Sequence, residues 1–165
     1  MDFTCSIFAE KDSAMQKHIK IDYLHYPSVE DMPQAEQELV AAAEEASQKA
    51  YAPYSKFKVG AAARLQSGKI IAAANSESEV FPSGMCAERA LLYNHQPNYA
   101  DDRILSLAIA SEPSERECYP CGACRQVLLD VENRQQSSIR IVMSGGGSAT
   151  VVESAKELLP FSFKL

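Results

Sequence analysis

The sequence lacks a run of lysine and arginine, a long apolar stretch and an even set of cysteines, and each lack excludes a class of protein. Lys and Arg number 16 against 22 Asp and Glu, a net charge of −6. The cations never gather into the basic stripe that a phosphate backbone requires, so a nucleic-acid polymer is not an expected partner. No window reaches the roughly 18 apolar residues of a membrane span, so no membrane partner is expected either. The opening "MDFTCSIFAEKDSAM" carries an early Asp and no basic flank before an apolar run, which makes the cytoplasm the expected compartment. Five cysteines are an odd number for a disulfide framework. They fit metal or redox chemistry in a reducing compartment. Internal repeats and low-complexity tracts are lacking too, and 165 residues suffice for one core.

What is there divides into an N-terminal extension, residues 1–32, and a body, residues 33–165. In the extension, "HIKIDYLHY" alternates Ile19, Ile21 and Tyr23 with Lys20 and Asp22. This pattern predicts a short strand or an arm lying on the body or on another copy, with His18 and His25 solvated or packed. After Asp31 and Pro33, the residues Leu39, Val40, Ala43, Ala46 and Ala50 recur at helical spacing and predict the first helix. "FKVGAAARL" and "KIIAAANS", joined by "QSGK", read as a hairpin. A second helix is predicted from the Cys86 segment to about Gln96, where Pro97 should stop it. "RILSLAIA" reads as a strand buried on both faces, "CGACRQVLLDVENR" as a helix, "IRIVMS" and "ATVVES" as strands, and "AKELLP" as a short last helix. "SGGGS" is a loop between strands, because it lacks the following Lys and the helix of a phosphate loop. Alternating strands and helices predict a layered α/β domain with a mixed sheet.

Two helix starts carry the chemistry. In "PSGMCAERALL", Cys86, Glu88 and Arg89 crowd into one turn, where a buried charge is costly unless paired or bound to metal. In "YPCGACRQVLL", Cys121 and Cys124 are spaced i and i+3 and project from one face. Thiolates at helix N-termini meet the positive end of the dipole, so two such starts aimed at one point favour deprotonated sulfur. Three thiolates on Zn²⁺ leave a net negative charge, and Arg89, one turn from Cys86, can withdraw some of it. Glu88 is two positions from Cys86, which suits a base beside the metal better than a ligand. Three ligands and an open position are the pattern of a catalytic zinc.

The pairing of "CAER" with "PCGACRQ", preceded by "YAPYSKFKVGAA" and followed by "ELLPFSF", resembles the small homotetrameric cytidine deaminases from about Pro33 to Phe163. That resemblance implies a three-layer α/β/α sandwich with a mixed, about five-stranded sheet. It implies Zn²⁺ on Cys86, Cys121 and Cys124, and Glu88 as the carrier of protons between water, ring nitrogen and leaving amine. It also implies that Asn75 and Glu77 of "NSE" bind the ribose hydroxyls, that Phe57 walls the base pocket and that Ala87 belongs to the substrate-binding set. Phe163 corresponds to a ring reaching a neighbouring subunit's base, which makes the expected assembly a homotetramer with shared active sites. The substrate implied is a free nucleoside, with cytidine and deoxycytidine deaminated in pyrimidine salvage. Ser78, Phe81 and Lys58 depart from the family's usual Asn, Tyr and Pro, and bear on the ribose fit and the subunit contacts.

Other readings stand beside this one. Cys118, three before Cys121, would allow a closed structural cage with Cys86, Cys121 and Cys124, although such a cage does not explain Glu88. Alternatively, Cys118 is a small side chain at a strand–helix junction, and Cys5 and His95 have no expected partner. "PCGACRQVLLD" also resembles deaminases of modified cytosine nucleosides such as blasticidin S, against which Arg89 and "NSE" weigh. A silent relative that only assembles or binds nucleosides is the remaining class.

Overall fold

The computed structural model describes residues 15–163; Cys5 and the first 14 residues of the extension lie outside the described residues. Its sheet has six strands: β1 (Leu24–Tyr26), β2 (Lys58–Leu65), β3 (Ile70–Ala74), β4 (Ile104–Glu112), β5 (Arg140–Gly145) and β6 (Ser148–Val152). Three α-helices are described, α1 (Gln34–Ser47), α2 (Ala87–Tyr99) and α3 (Gly122–Gln135). The strand order is β1-β6-β5-β4-β2-β3. Only β4 and β5 run parallel, with Ala108 opposite Val142, and the other pairs are antiparallel, so the sheet is mixed as expected. The strand beyond the five expected is β1, in which the arm pairs His25 with Thr150 on the edge of β6.

Small residues let the helices lie close to the sheet. Leu39, Val40 and Ala43 of α1 pack with Ala62, Ala108, Val142 and Val151 on one face. Leu91 and Leu92 of α2 and Leu128, Leu129 and Val131 of α3 pack with Ala61, Ala63, Leu107, Ile109 and Ile141 on the other. Successive residues of β2 therefore serve opposite faces, which is why a run of three alanines belongs to both cores. Each fully buried leucine contributes about 1.5–3 kcal/mol of apolar transfer, and the result is the three-layer sandwich expected.

Three local expectations are corrected. α2 does not stop before Pro97 but runs to Tyr99 with Pro97 inside it. In the last turn a proline forfeits only one backbone bond, and the buried His95, Nε2 2.8 Å from the Asp102 carbonyl oxygen, ties the helix end down. His95 thus has the partner it was not expected to have. The segment after β6 forms a single 3₁₀ turn, Ala155–Leu158, capped by the Ser154 hydroxyl. The glycine loop is the expected link between strands: Gly146 and Gly147 have φ of 62° and 83°, values that turn β5 tightly into β6.

Candidate active site

Cys86 is the N-cap of α2 and Cys121 the N-cap of α3, while Cys124 lies buried in the first turn of α3. The two helix starts meet on the same side of the sheet, and the three sulfurs lie within 4.8 Å of one another. Cys121 and Cys124 sulfurs are 3.4 Å apart. The Arg89 guanidinium donates to the Cys86 sulfur at 3.6 Å. A hydrogen bond from Cys124, aided by Arg89, holds the Cys86 thiol down to about 5, while that same bond and burial push Cys124 up. A pre-formed negative charge is therefore seated where two helix dipoles converge. The donor set of three sulfurs, with a guanidinium against one of them, fits Zn²⁺.

Glu88 is 4% exposed, the second residue of α2 and two positions after the cysteine cap. Burial, with the Cys86 charge beside it, raises its carboxyl above the usual range. A carboxyl raised toward neutrality is one that can both take and return a proton. Cys118 is not part of the three-sulfur cluster. It precedes the helix in extended chain, its N–H bonded to the Ser144 carbonyl at 3.1 Å, and burial pushes its thiol up to about 11. The site thus has three clustered sulfurs among the described residues, not the four of a closed cage.

A cleft of about 740 Å³ opens over this cluster, lined by Phe57, Asn75, Glu77, Cys86, Glu88 and Cys121. The "NSE" segment reaches it because Ser76 pairs with Met85 through two backbone bonds, 2.9 and 2.8 Å, one residue before Cys86. Asn75 accepts from the Val59 N–H at 2.8 Å and donates to the Phe57 carbonyl at 3.0 Å, which fixes the backbone on both sides of Lys58 and holds Phe57 at the rim. Glu77 accepts from the N–H of Tyr54 at 2.8 Å and of Ser55 at 3.2 Å, and from the Ser55 hydroxyl. These bonds, the Ser55 hydroxyl first, hold its carboxyl below the usual range.

Ala87 is fully buried and does not line the cleft; nor does Phe163, 70% exposed on the C-terminal segment. That segment is tied to α3 by Arg125, which donates to the carbonyls of Pro120 at 2.8 Å and Leu158 at 3.0 Å. Reasoning from sequence missed Tyr54, Met85 and Tyr119, which also line the cleft. Tyr54 and Tyr119 were within reach, since both stand inside the motif segments, but nothing in their spacing says which way they point.

Comparison with known proteins follows the same lines. The family model "Cytidine and deoxycytidylate deaminase zinc-binding region" matches residues 33–137. A cytidine deaminase of Sporosarcina psychrophila is 33% identical over 130 residues, 77% of this chain and 90% of its own length. One of Halalkalibacterium halodurans is 37% identical over 97 residues, 58% of this chain and 70% of its own. The crystal structure of cytidine deaminase from Burkholderia pseudomallei superposes with a TM-score of 0.69 at 35% identity, covering 80% of this chain and all of that one.

Proposed function

The chain belongs to the cytidine and deoxycytidylate deaminases, and from that premise we propose how its residues carry out the zinc-dependent hydrolysis of cytidine and deoxycytidine to uridine and deoxyuridine. The observation that carries the reading is the buried Glu88 carboxyl beside three sulfurs lying within 4.8 Å. Cys86, Cys121 and Cys124 hold Zn²⁺, which when bound supplies Lewis-acid activation of water. Glu88 takes a proton from the attacking water as the O–C4 bond forms, and hands it to the ring nitrogen N3. It then carries the second proton of that water to the amino group, which leaves as ammonia when the C4–N bond breaks. The products are the uracil nucleoside and ammonia, with every proton accounted for. Burial of Glu88 supports this role, because a desolvated carboxyl holds a proton in transit that an exposed one would lose to solvent.

Phe57 faces the base, and Asn75 and Glu77 serve the ribose hydroxyls. The substrate is a free nucleoside, in keeping with the acidic net charge of −6. The assembly we infer is a homotetramer in which Phe163 of a neighbour completes each pocket; the exposure of Phe163 supports this. Residues 33–165 form the catalytic domain, the compartment is the cytoplasm and the role is pyrimidine salvage. None of the described helices is long and apolar enough to cross a membrane.

The test is ultraviolet monitoring of the purified protein with cytidine, alongside a zinc count. Loss of the cytosine absorbance with about one zinc per chain establishes the reaction for this protein. Zinc without turnover moves the reading to a modified cytosine nucleoside.

A further inference from the structure

Tyr119 separates two hollows. On one side it lines the cleft with Phe57 and Cys121; on the other it lines a groove of about 960 Å³ together with Ile21, Tyr23 and His25 of the arm. Its ring is held by the hydroxyl, which donates to Glu117 Oε2 at 2.7 Å. Glu117 is 9% exposed. Its other oxygen accepts from the Ser148 hydroxyl of β6 at 2.8 Å and stands 3.3 Å from His25 Nδ1 on β1. The backbone below is fixed independently. Gly145 approaches so closely that a Cβ there would lie 2.0 Å from the Arg116 carbonyl oxygen. With Arg116 packed on Gly145 and the Cys118 N–H bonded to the Ser144 carbonyl, the line from His25 through Glu117 adds a tether on the Tyr119 ring, which is itself 55% exposed.

We propose that Tyr119 is the outer wall of the nucleoside cleft and that Glu117 and His25 are its positioning residues, so that the arm strand β1 sets how tightly the substrate is held. The inference rests on the deaminase reading of the cleft. It also goes beyond it, because β1 precedes residues 33–137 and so lies outside the part of the chain that the family model matches. A ring already fixed at its hydroxyl has lost its rotamer freedom before the nucleoside arrives, and that ordering cost is then absent from binding. Neither His25 nor Glu117 lines the cleft, so the effect falls on substrate binding and leaves the proton transfers at Glu88 alone.

The test measures kcat and KM for cytidine with the full-length, zinc-loaded chain as native protein, His25→Ala, Tyr119→Phe and the double variant. Each single change is expected to raise KM about two- to tenfold, the range for immobilising one side chain, with kcat held within about twofold. The double variant should be no worse than Tyr119→Phe, because His25 acts through the hydroxyl that this change removes. An unmoved KM in His25→Ala, or single effects that multiply in the double, overturns the proposal while the native activity stands. His25 is half exposed and its replacement disturbs no core, so a melting temperature equal to native keeps that result interpretable. Native protein that holds zinc and leaves cytidine unchanged overturns the reading of cytidine as the substrate, and this inference with it.

Discussion

The Arg89 guanidinium stands 3.6 Å from the Cys86 sulfur, one turn along the helix that Cys86 caps. Its Nε is buried with no protein partner, so the group is held in place for its charge and not for a saturated set of hydrogen bonds. Three thiolates overcompensate a divalent ion, and a guanidinium against one sulfur offsets the excess. Arg89→Gln is expected to weaken zinc retention about 10- to 100-fold, read by competition with a chelator. Retention equal to native would remove Arg89 from the metal's surroundings.

Glu88→Gln keeps the shape of a side chain that is 4% exposed, so the fold and the bound zinc should persist. What is lost is a carboxyl that, among the described residues, is buried in the same helix turn as Cys86. Turnover of cytidine should fall about 10²- to 10⁴-fold, the span for removing a general acid–base group, with the zinc count unchanged. A variant that kept most of its rate would require another proton carrier in the cleft.

The metal site was legible because its rules are local. Cys121 and Cys124 show one face of a helix, Cys86 marks a second helix start, and Glu88 and Arg89 follow within a turn. Contacts between distant segments were not legible. Nothing near His25 in sequence announces Glu117, and nothing near His95 announces the carbonyl of Asp102. The alternation around Ile21 suggested a strand, but its place on the edge of β6 depends on a pairing that no local pattern encodes. Pro97 misled for a related reason: the rule that proline ends a helix weighs the lost bond and omits the tertiary tie that holds the last turn. Cys118 has ligand-like spacing from Cys121, yet α3 begins at Gly122, so Cys118 stands before the helix and, although it lines the same cleft, is not one of the three clustered sulfurs.

Phe163 is 70% exposed and lines no part of its own chain's cleft. If it completes a neighbour's pocket, Phe163→Ala should raise KM for cytidine by up to about tenfold, the loss of one aromatic contact, although it lies far along the chain from the zinc cysteines. Unchanged kinetics in that variant would rule out a shared site built on this ring. Sedimentation of the same preparations gives the assembly state directly.

Gly60 sits where β2 meets α1, and a Cβ there would lie 1.9 Å from the Ala43 carbonyl oxygen and 2.5 Å from the Ser47 nitrogen. Both are helix backbone, so no side chain can swing aside and α1 itself must shift off the sheet. Gly60→Ala should cost about 1–3 kcal/mol or more, the range for overpacking, seen as a lower denaturation midpoint at unchanged slope. A midpoint equal to native would show that α1 yields freely.

Glu117 links the arm to the wall of the cleft, and its ionisation gives that link a pH signature. Burial alone would raise its carboxyl, but hydrogen bonds with Thr150, Tyr119 and Ser148 and the charge of His25 outweigh burial and hold it below 4.5. The unfolded chain therefore takes up this proton before the folded one does. The stability that the carboxylate supplies is complete above about 4.5 and is lost as the pH falls through the lower, folded value. Glu117→Gln carries no such group, so its deficit in melting temperature against native should be largest near neutrality and should shrink in acid. Thermal melts of both proteins between about pH 7 and pH 3 measure this, because a buried carboxylate and its protonated form differ by their whole hydrogen-bond set. A deficit that grew on acidification would mean that the folded protein binds the proton more tightly than the unfolded chain. The carboxyl would then be raised and not lowered by the fold, and the bonds from Tyr119 and Ser148 would not be what holds its charge at the cleft mouth.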